Sequence, residues 1–402
     1  MTPEARRGQP APLIFHLSAA LATYQAGLVA APAMNRADFP WHPDIDPPEA
    51  GPPDMGELVR EVAARLERIE TGIDKWRRAD PPPSRPIRPV LWQAGSTRLL
   101  DWAGSGGGVP VLVVPSLINS ARILDLHARV SFLDALADAG LAPVLLDWGA
   151  PSAEEQRFDL EAYVLQRLLP ALSFLEGRSG RRPALIGYCL GGAMAAILAA
   201  QVMPPRKLVT IGAPWCCAAT DGMAGAIRTA VRASGAEGAR RYIAALAAVF
   251  GTVPGAFFQG LFALLDPLQV ARKFRRFGEV ELTGPRAELF VAIEDWLADA
   301  VPVSGAAAIT ILVDWQVENR LAEGRWRCLG RPVRAADIRC PTLVITGQRD
   351  TIAAPTGAGV LARDVPGARH LTPDLGHVGM IASRAAPAAV LRPVVDFVTS
   401  LD

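Results

Sequence analysis

Cys189 stands in Gly187-Tyr-Cys-Leu-Gly-Gly192, directly after the apolar run Pro183–Ile186 and before Ala193–Ala200, which reads as a helix. That spacing describes a nucleophile elbow, in which a strand turns sharply into a helix and lifts one side chain clear of the main chain. Glycines two residues either side of the tip are required because side chains there would collide with neighbouring backbone. Sulfur at the tip implies covalent catalysis, with a thiolate attacking an acyl carbon and holding the acyl group as a thioester. A buried structural cysteine is the alternative, and the placement between a strand and a helix argues against it.

A thiol nucleophile needs a base, and the base needs a group that fixes its tautomer and stabilises its cation. The histidines are His16, His42, His127, His370 and His377. His377, in Asp374-Leu-Gly-His-Val-Gly379, is the expected base, with His370 as its competitor. Asp350 follows the run Thr342–Thr346 and is the expected acid, with Asp374 as the alternative. Cys189, Asp350 and His377 thereby occur in the nucleophile, acid, base order of the α/β-hydrolase fold. An oxyanion hole further requires main-chain N–H groups aimed at developing charge. Leu190, opening the helix after the elbow, is the expected first donor. Ile118, in the loop Pro115–Asn119, is the expected second.

Positioning these residues requires a sheet. Val111–Val114, Ala142–Leu146, Ala184–Ile186, Lys207–Ile211 and Thr342–Thr346 are short, nearly continuous apolar runs, the pattern of strands buried on both faces of a mostly parallel sheet. Val130–Ala139 and Leu160–Leu175 read as helices between them. The alternation fails between about residues 214 and 337, a Phe- and Trp-rich segment expected to form a helical cap. Residues 1–89 are expected to be a helical, proline-rich extension, with the catalytic domain over 90–402. In the extension, Phe39–Pro43 and Pro47–Pro53 read as a connector, and Leu58, Val62, Leu66, Ile69, Ile73 and Trp76 recur at helical spacing from about Asp54 to Arg78.

Composition narrows the function classes. The 402 residues are half hydrophobic and a fifth charged, with 41 basic against 40 acidic side chains, so nothing global favours nucleic acid or an anionic membrane. The five cysteines show no metal-site or disulfide spacing, and their odd count points to a reducing, cytoplasmic setting without a metal. Arg6-Arg7 with the run Ala11–Ala31 superficially resembles a signal peptide, but His16, Ser18, Thr23, Tyr24 and Gln25 interrupt it. The reading adopted there is an amphipathic helix, and no transmembrane segment is expected.

Further motifs extend beyond the elbow: Val113-Val-Pro-Ser-Leu-Ile-Asn119 with Ile123–Leu126, Leu146-Asp-Trp-Gly149 with Asp159–Tyr163, Glu294–Asp299, Asn319-Arg-Leu321 and Gly376–Met380. On these the chain resembles polyhydroxyalkanoate synthases, most closely the short class III catalytic subunits, from about Val90 onward. The resemblance implies an α/β-hydrolase fold and an acyltransferase that polymerises 3-hydroxyacyl-CoA into polyester with release of CoA. By it Cys189 is acylated, His377 is its base, and Asp350 helps to activate the chain-end hydroxyl. It also implies a homodimer formed through the cap, attachment to cytoplasmic polyester granules, a second synthase subunit, and CoA as part of the substrate with no permanently bound cofactor. No residue is assigned to CoA binding; Arg122, Arg272, Lys273, Arg275 and Arg276 are basic, with a solvated face as the reading for most. The connector and helix before Val90 depart from the family pattern.

The same elbow sequence occurs in dienelactone hydrolases, so the alternative is a cysteine hydrolase acting on acyl-CoA or polyester. Both readings need the same three residues. Water access to the thioester separates them, and the cap controls it. A silent granule-coat scaffold is a third reading, against which the intact Cys189, Asp350 and His377 argue.

Overall fold

Eight strands, β1 (Val90–Ala94), β2 (Thr97–Asp101), β3 (Val109–Val114), β4 (Leu141–Asp147), β5 (Ala184–Tyr188), β6 (Leu208–Ile211), β7 (Thr342–Ile345) and β8 (Arg369–Leu371), form one sheet in the order 1-2-4-3-5-6-7-8. The β1/β2 and β2/β4 pairs are antiparallel, and the rest of the sheet is parallel. The computed structural model describes residues 21–26, 54–102, 104, 107–219, 221–266, 268–281 and 284–400. The expected connector Phe39–Pro53 lies outside them, as does the early apolar run apart from 21–26, which are helical.

The five expected strands are all present within a residue or two of their expected ends, because β3 to β7 are buried on both faces. Strands β1 and β2 were not anticipated, and β8 is legible only as a strand end at His370. They lie at or near the edges, and polar residues such as Gln93 and Arg98 break their apolar pattern. The two expected helices appear as Phe132–Asp138 and as a run from Leu160 to Ser179 that widens into a π turn at Val164–Leu168. The elbow helix Leu190–Gln201 is buried from Leu190 through Ala199, which its almost entirely apolar, small-residue sequence permits.

The chain divides into two units, one combining the described part of Met1–Pro82 with Asp266–Ala298, the other Pro83–Leu265 with Asp299–Asp402. In the first, the helix Met55–Arg78 packs on the helices Gln269–Gly278 and Pro285–Ala298 around Ile69, Ile73, Trp76, Phe274 and Phe277. A Cβ at Gly72 would fall 1.9 Å from the Phe274 carbonyl oxygen, so glycine is what lets the two backbones meet. Lys75 Nζ donates to the carbonyls of Gly278 and Val280, and Trp76 Nε1 donates to Asp295 Oδ1 at 3.2 Å. The helix expected within an N-terminal extension thus shares a core with part of the segment expected to be cap. The remainder of that segment stays with the sheet-bearing unit as the helices Gly222–Ala230, Gly235–Phe250, Gly255–Ala263 and Gly305–Ile309, the last continuing as π-helix to Val317.

One buried ion pair fastens β2 and β4 to the helical run beyond them. Glu155 accepts from Arg167 Nε at 2.6 Å, Ser152 N at 2.8 Å and Ser96 Oγ at 2.6 Å. Burial works against its charge, but the bonds from Ser96, Ser152 and Arg167 outweigh it and hold the carboxyl below its ordinary value of 4.5. Because the folded value is depressed, the stabilisation is complete above 4.5 and is lost as pH falls through the lower folded value. Arg167→Met, which strands a buried carboxylate, is expected to cost about 3 kcal/mol in denaturant unfolding. Glu155→Gln is expected to remove this part of the acid sensitivity of the melting temperature; an unchanged acid limb would contradict the assignment.

Candidate active site

At the end of β5, Cys189 adopts φ 55° and ψ −130°, a left-handed conformation that a non-glycine residue keeps only when its surroundings impose it. Those surroundings are a hydrogen bond from Cys189 N to the Ile211 carbonyl at 2.8 Å and one from Gly192 N to the Cys189 carbonyl at 2.9 Å. A Cβ on Gly187 would lie 2.4 Å from Gly192 Cα, and one on Gly191 would lie 2.3 Å from the Pro115 carbonyl oxygen. The elbow helix therefore begins pressed against the loop that follows β3. That loop is fixed from the other side by Trp148 Nε1, which donates to the same Pro115 carbonyl at 3.1 Å.

The acid and base come from loops after the last two strands. Asp350 Oδ2 lies 2.7 Å from His377 Nδ1, while Asp350 Oδ1 accepts from the N–H groups of Ile352 and Ala353 at 2.8 and 2.9 Å. With both carboxylate oxygens engaged, the imidazole is held in one orientation. Burial disfavours the His377 cation, but the Asp350 carboxylate and the charge of the Cys189 sulfur together raise its pKa well above 6.5. The arrangement stabilises the ion pair that results when the imidazole takes the thiol proton.

The alternatives lie elsewhere. His370 Nε2 is 2.8 Å from Thr346 Oγ1, and burial lowers its pKa. Asp374 forms an exposed ion pair with Arg349 at 2.9 Å. His127 Nδ1 accepts from Arg129 N, and His16 and His42 lie outside the described residues. Leu190 and Ile118 both border the same cavity as Cys189. Leu190 opens its helix, where N–H groups have no intrahelical partner. The Ile118 N–H, in contrast, contacts Ser116 Oγ at 3.3 Å and must release it to serve an oxyanion.

Two contributors to the site escaped the sequence reading. Tyr188 lies under the base, its ring centroid 5.2 Å from that of His377 and its hydroxyl donating to the His377 carbonyl at 3.3 Å. Burial, reinforced by the charges of Cys189 and Asp350, holds that hydroxyl un-ionised. Gly212, immediately after β6, has φ +57°, and a Cβ there would lie 3.1 Å from two atoms of the His377 ring. Its signal was available, since a glycine ending a buried strand marks a close approach. Gly212→Ala is expected to leave the protein folded but to reduce turnover about 10- to 100-fold by displacing the imidazole. Steady-state kinetics beside a thermal melt would check this, and unaltered turnover would mean that the ring tolerates the methyl group.

The cavity bordering Cys189 has a volume of about 40 Å³ and is lined mostly by apolar side chains, including Phe258, Phe262, Ile311 and Leu312. Among the described residues, all five cysteines are free, no group of three or more His, Cys, Asp or Glu could hold a metal ion, and no helix is long and apolar enough to cross a membrane.

Known proteins share this framework. The chain is 29% identical over 337 residues to the Poly(3-hydroxyalkanoate) polymerase subunit PhaC of Haloferax mediterranei, covering 81% of this chain and 65% of that protein. It is 29% identical over 326 residues to the protein of the same name from Haloarcula marismortui, covering 77% and 66% respectively. The chain thus spans just under two thirds of the length of these relatives. Among solved structures, MenH from S. aureus superposes with a TM-score of 0.51 at 15% identity, covering 76% of this chain and 98% of that one, a likeness of fold. The alpha/beta hydrolase fold family matches residues 109–382, the span that carries Cys189, Asp350 and His377, and the chain belongs to that family.

Proposed function

We propose that the protein is a polyhydroxyalkanoate synthase-like acyltransferase that polymerises 3-hydroxyacyl groups from CoA thioesters through a thioester on Cys189. The observation that carries this reading is a cysteine held at a strained elbow, with a buried Asp350–His377 pair, bordering a mostly apolar cavity. Similarity to the two polymerase subunits supports the substrate class.

In the first half-reaction, His377 takes the Cys189 proton and the sulfur attacks the acyl carbonyl. The tetrahedral oxyanion is held by the N–H groups of Leu190 and Ile118, the latter freed from Ser116. Collapse expels CoA, whose sulfur recovers the proton from His377. One thioester replaces another, so the step is nearly isoenergetic. In the second half-reaction, a chain-end hydroxyl gives its proton to His377, with Asp350 stabilising the cation, and attacks the acyl-cysteine. An ester forms and Cys189 is restored.

The helices Gly255–Ala263 and Gly305–Val317 supply apolar side chains to the cavity in which the acyl group would lie. Once the acyl group occupies that space, water is displaced and a hydroxyl is the acceptor, which favours transfer over hydrolysis. A cytoplasmic setting, granule attachment, dimerisation and a second subunit belong to this proposal as properties implied by the resemblance. Incubation with 3-hydroxybutyryl-CoA, with CoA release followed while acyl products are separated by size, tests it. Polymer is the expected product; free monomeric acid would instead establish a thioesterase.

A further inference from the structure

The first unit contains a second cavity, of about 450 Å³, lined by Arg272, Lys273, Arg276, Arg286, Phe277 and Phe290, with Asp266 as its one carboxylate. The cations come from two helices, Gln269–Gly278 and Pro285–Ala298, whose shared core fixes their spacing. Arg272 pairs with Asp266, and Lys273 is held at 2.7 Å by the buried Glu294. Arg276 and Arg286 have no carboxylate partner among the described residues, and both are exposed. Two guanidinium groups bordering one concave site form a receptor for phosphate oxygens, which they can engage through paired N–H donors.

The rest of the lining includes apolar residues, of which Phe290 is half-buried and Phe277 is buried behind it. Phe277 and Phe290 stack with ring centroids 4.1 Å apart and planes 13° from parallel, and Val280 lies beside them. An inorganic anion would leave that part of the lining and most of the volume unused. A planar heterocycle attached to phosphates would stack on Phe290 while its charge met the arginines. We propose that this cavity binds the phosphate groups and base of an adenine nucleotide. The site is carried by residues of this unit alone and stands independently of the acyl-transfer reading. Two sources supply that chemistry: a free nucleotide, or the adenosine end of CoA.

The test is isothermal titration of the full-length protein with ADP, repeated with the double variant Arg276→Gln/Arg286→Gln and with Arg241→Gln, an exposed arginine outside the site. Thermal melts verify folding, and the substituted residues lie at the surface. Saturable ADP binding that weakens at least about tenfold in the double variant but not in Arg241→Gln supports the proposal. Absence of ADP binding, or equal binding by the double variant, overturns it. Binding to vesicles containing phosphatidylglycerol without ADP binding would overturn it also, by assigning the arginines to a lipid surface. Where ADP binds, displacement by CoA extends the ligand class to the adenosine end of CoA, and failure of CoA to displace it restricts the site to a free nucleotide. Neither result depends on catalytic turnover, so failure of this inference is separable from failure of the acyl-transfer reading.

Discussion

Replacing Cys189 by alanine is expected to reduce CoA release from 3-hydroxybutyryl-CoA by about 10³-fold or more, since no other nucleophile takes its place. The substitution should not unfold the protein. Alanine faces the same left-handed conformation that Cys189 already adopts, and the bonds to Ile211 and Gly192 that impose it are main-chain bonds. Cys189→Ser is a sharper probe of mechanism. It preserves an attacking atom but substitutes a hydroxyl, so orders of magnitude should still be lost because the imidazole is arranged to share charge with a thiolate. Turnover near that of the parent in either variant, measured with a thiol-reactive dye for released CoA, would remove Cys189 from its role.

The second large effect is expected at His377. Glutamine there cannot accept the thiol proton or return it to the leaving group, and loss of a general acid–base typically costs about 10²- to 10⁴-fold. Without the imidazole there is also no base at the elbow to take the Cys189 proton as the sulfur attacks. Alkylation of Cys189 by iodoacetamide should therefore slow in His377→Gln. His370→Gln should alter neither rate, since that ring bonds Thr346. If His370→Gln abolished turnover while His377→Gln retained it, the base would have been assigned to the wrong strand end.

The parts of this molecule that were legible from the chain are those encoded locally. The elbow is a short pattern, and chain order then directed attention to Asp350 and His377, which the fold brings to 2.7 Å of each other. Strands β3 to β7 were readable because burial on both faces demands continuous apolar sequence. Strand β1 was not, since an edge position tolerates Gln93, and nor was β2 beside it, where the exposed Arg98 breaks the apolar pattern.

What escaped depends on contacts between distant segments. Gly212 signals a close approach but not that His377, 165 positions later, makes it, and the contact of Ile118 N–H with Ser116 Oγ appears only once the loop is folded. Likewise, the helical period of Met55–Arg78 marks an apolar face but not the helix that covers it. Gly72 interrupts that face as if it were a flaw, yet it lies where the backbone of Phe274 approaches.

The central claim is that the acyl group passes through Cys189, and mass analysis of the acid-quenched enzyme tests it most directly. After brief mixing with 3-hydroxybutyryl-CoA, the peptide containing Cys189 should carry a mass increment of one or more hydroxybutyryl units, removable by hydroxylamine and missing from Cys189→Ala. CoA release with no acyl adduct on that peptide, or with an adduct on another residue, would contradict the account.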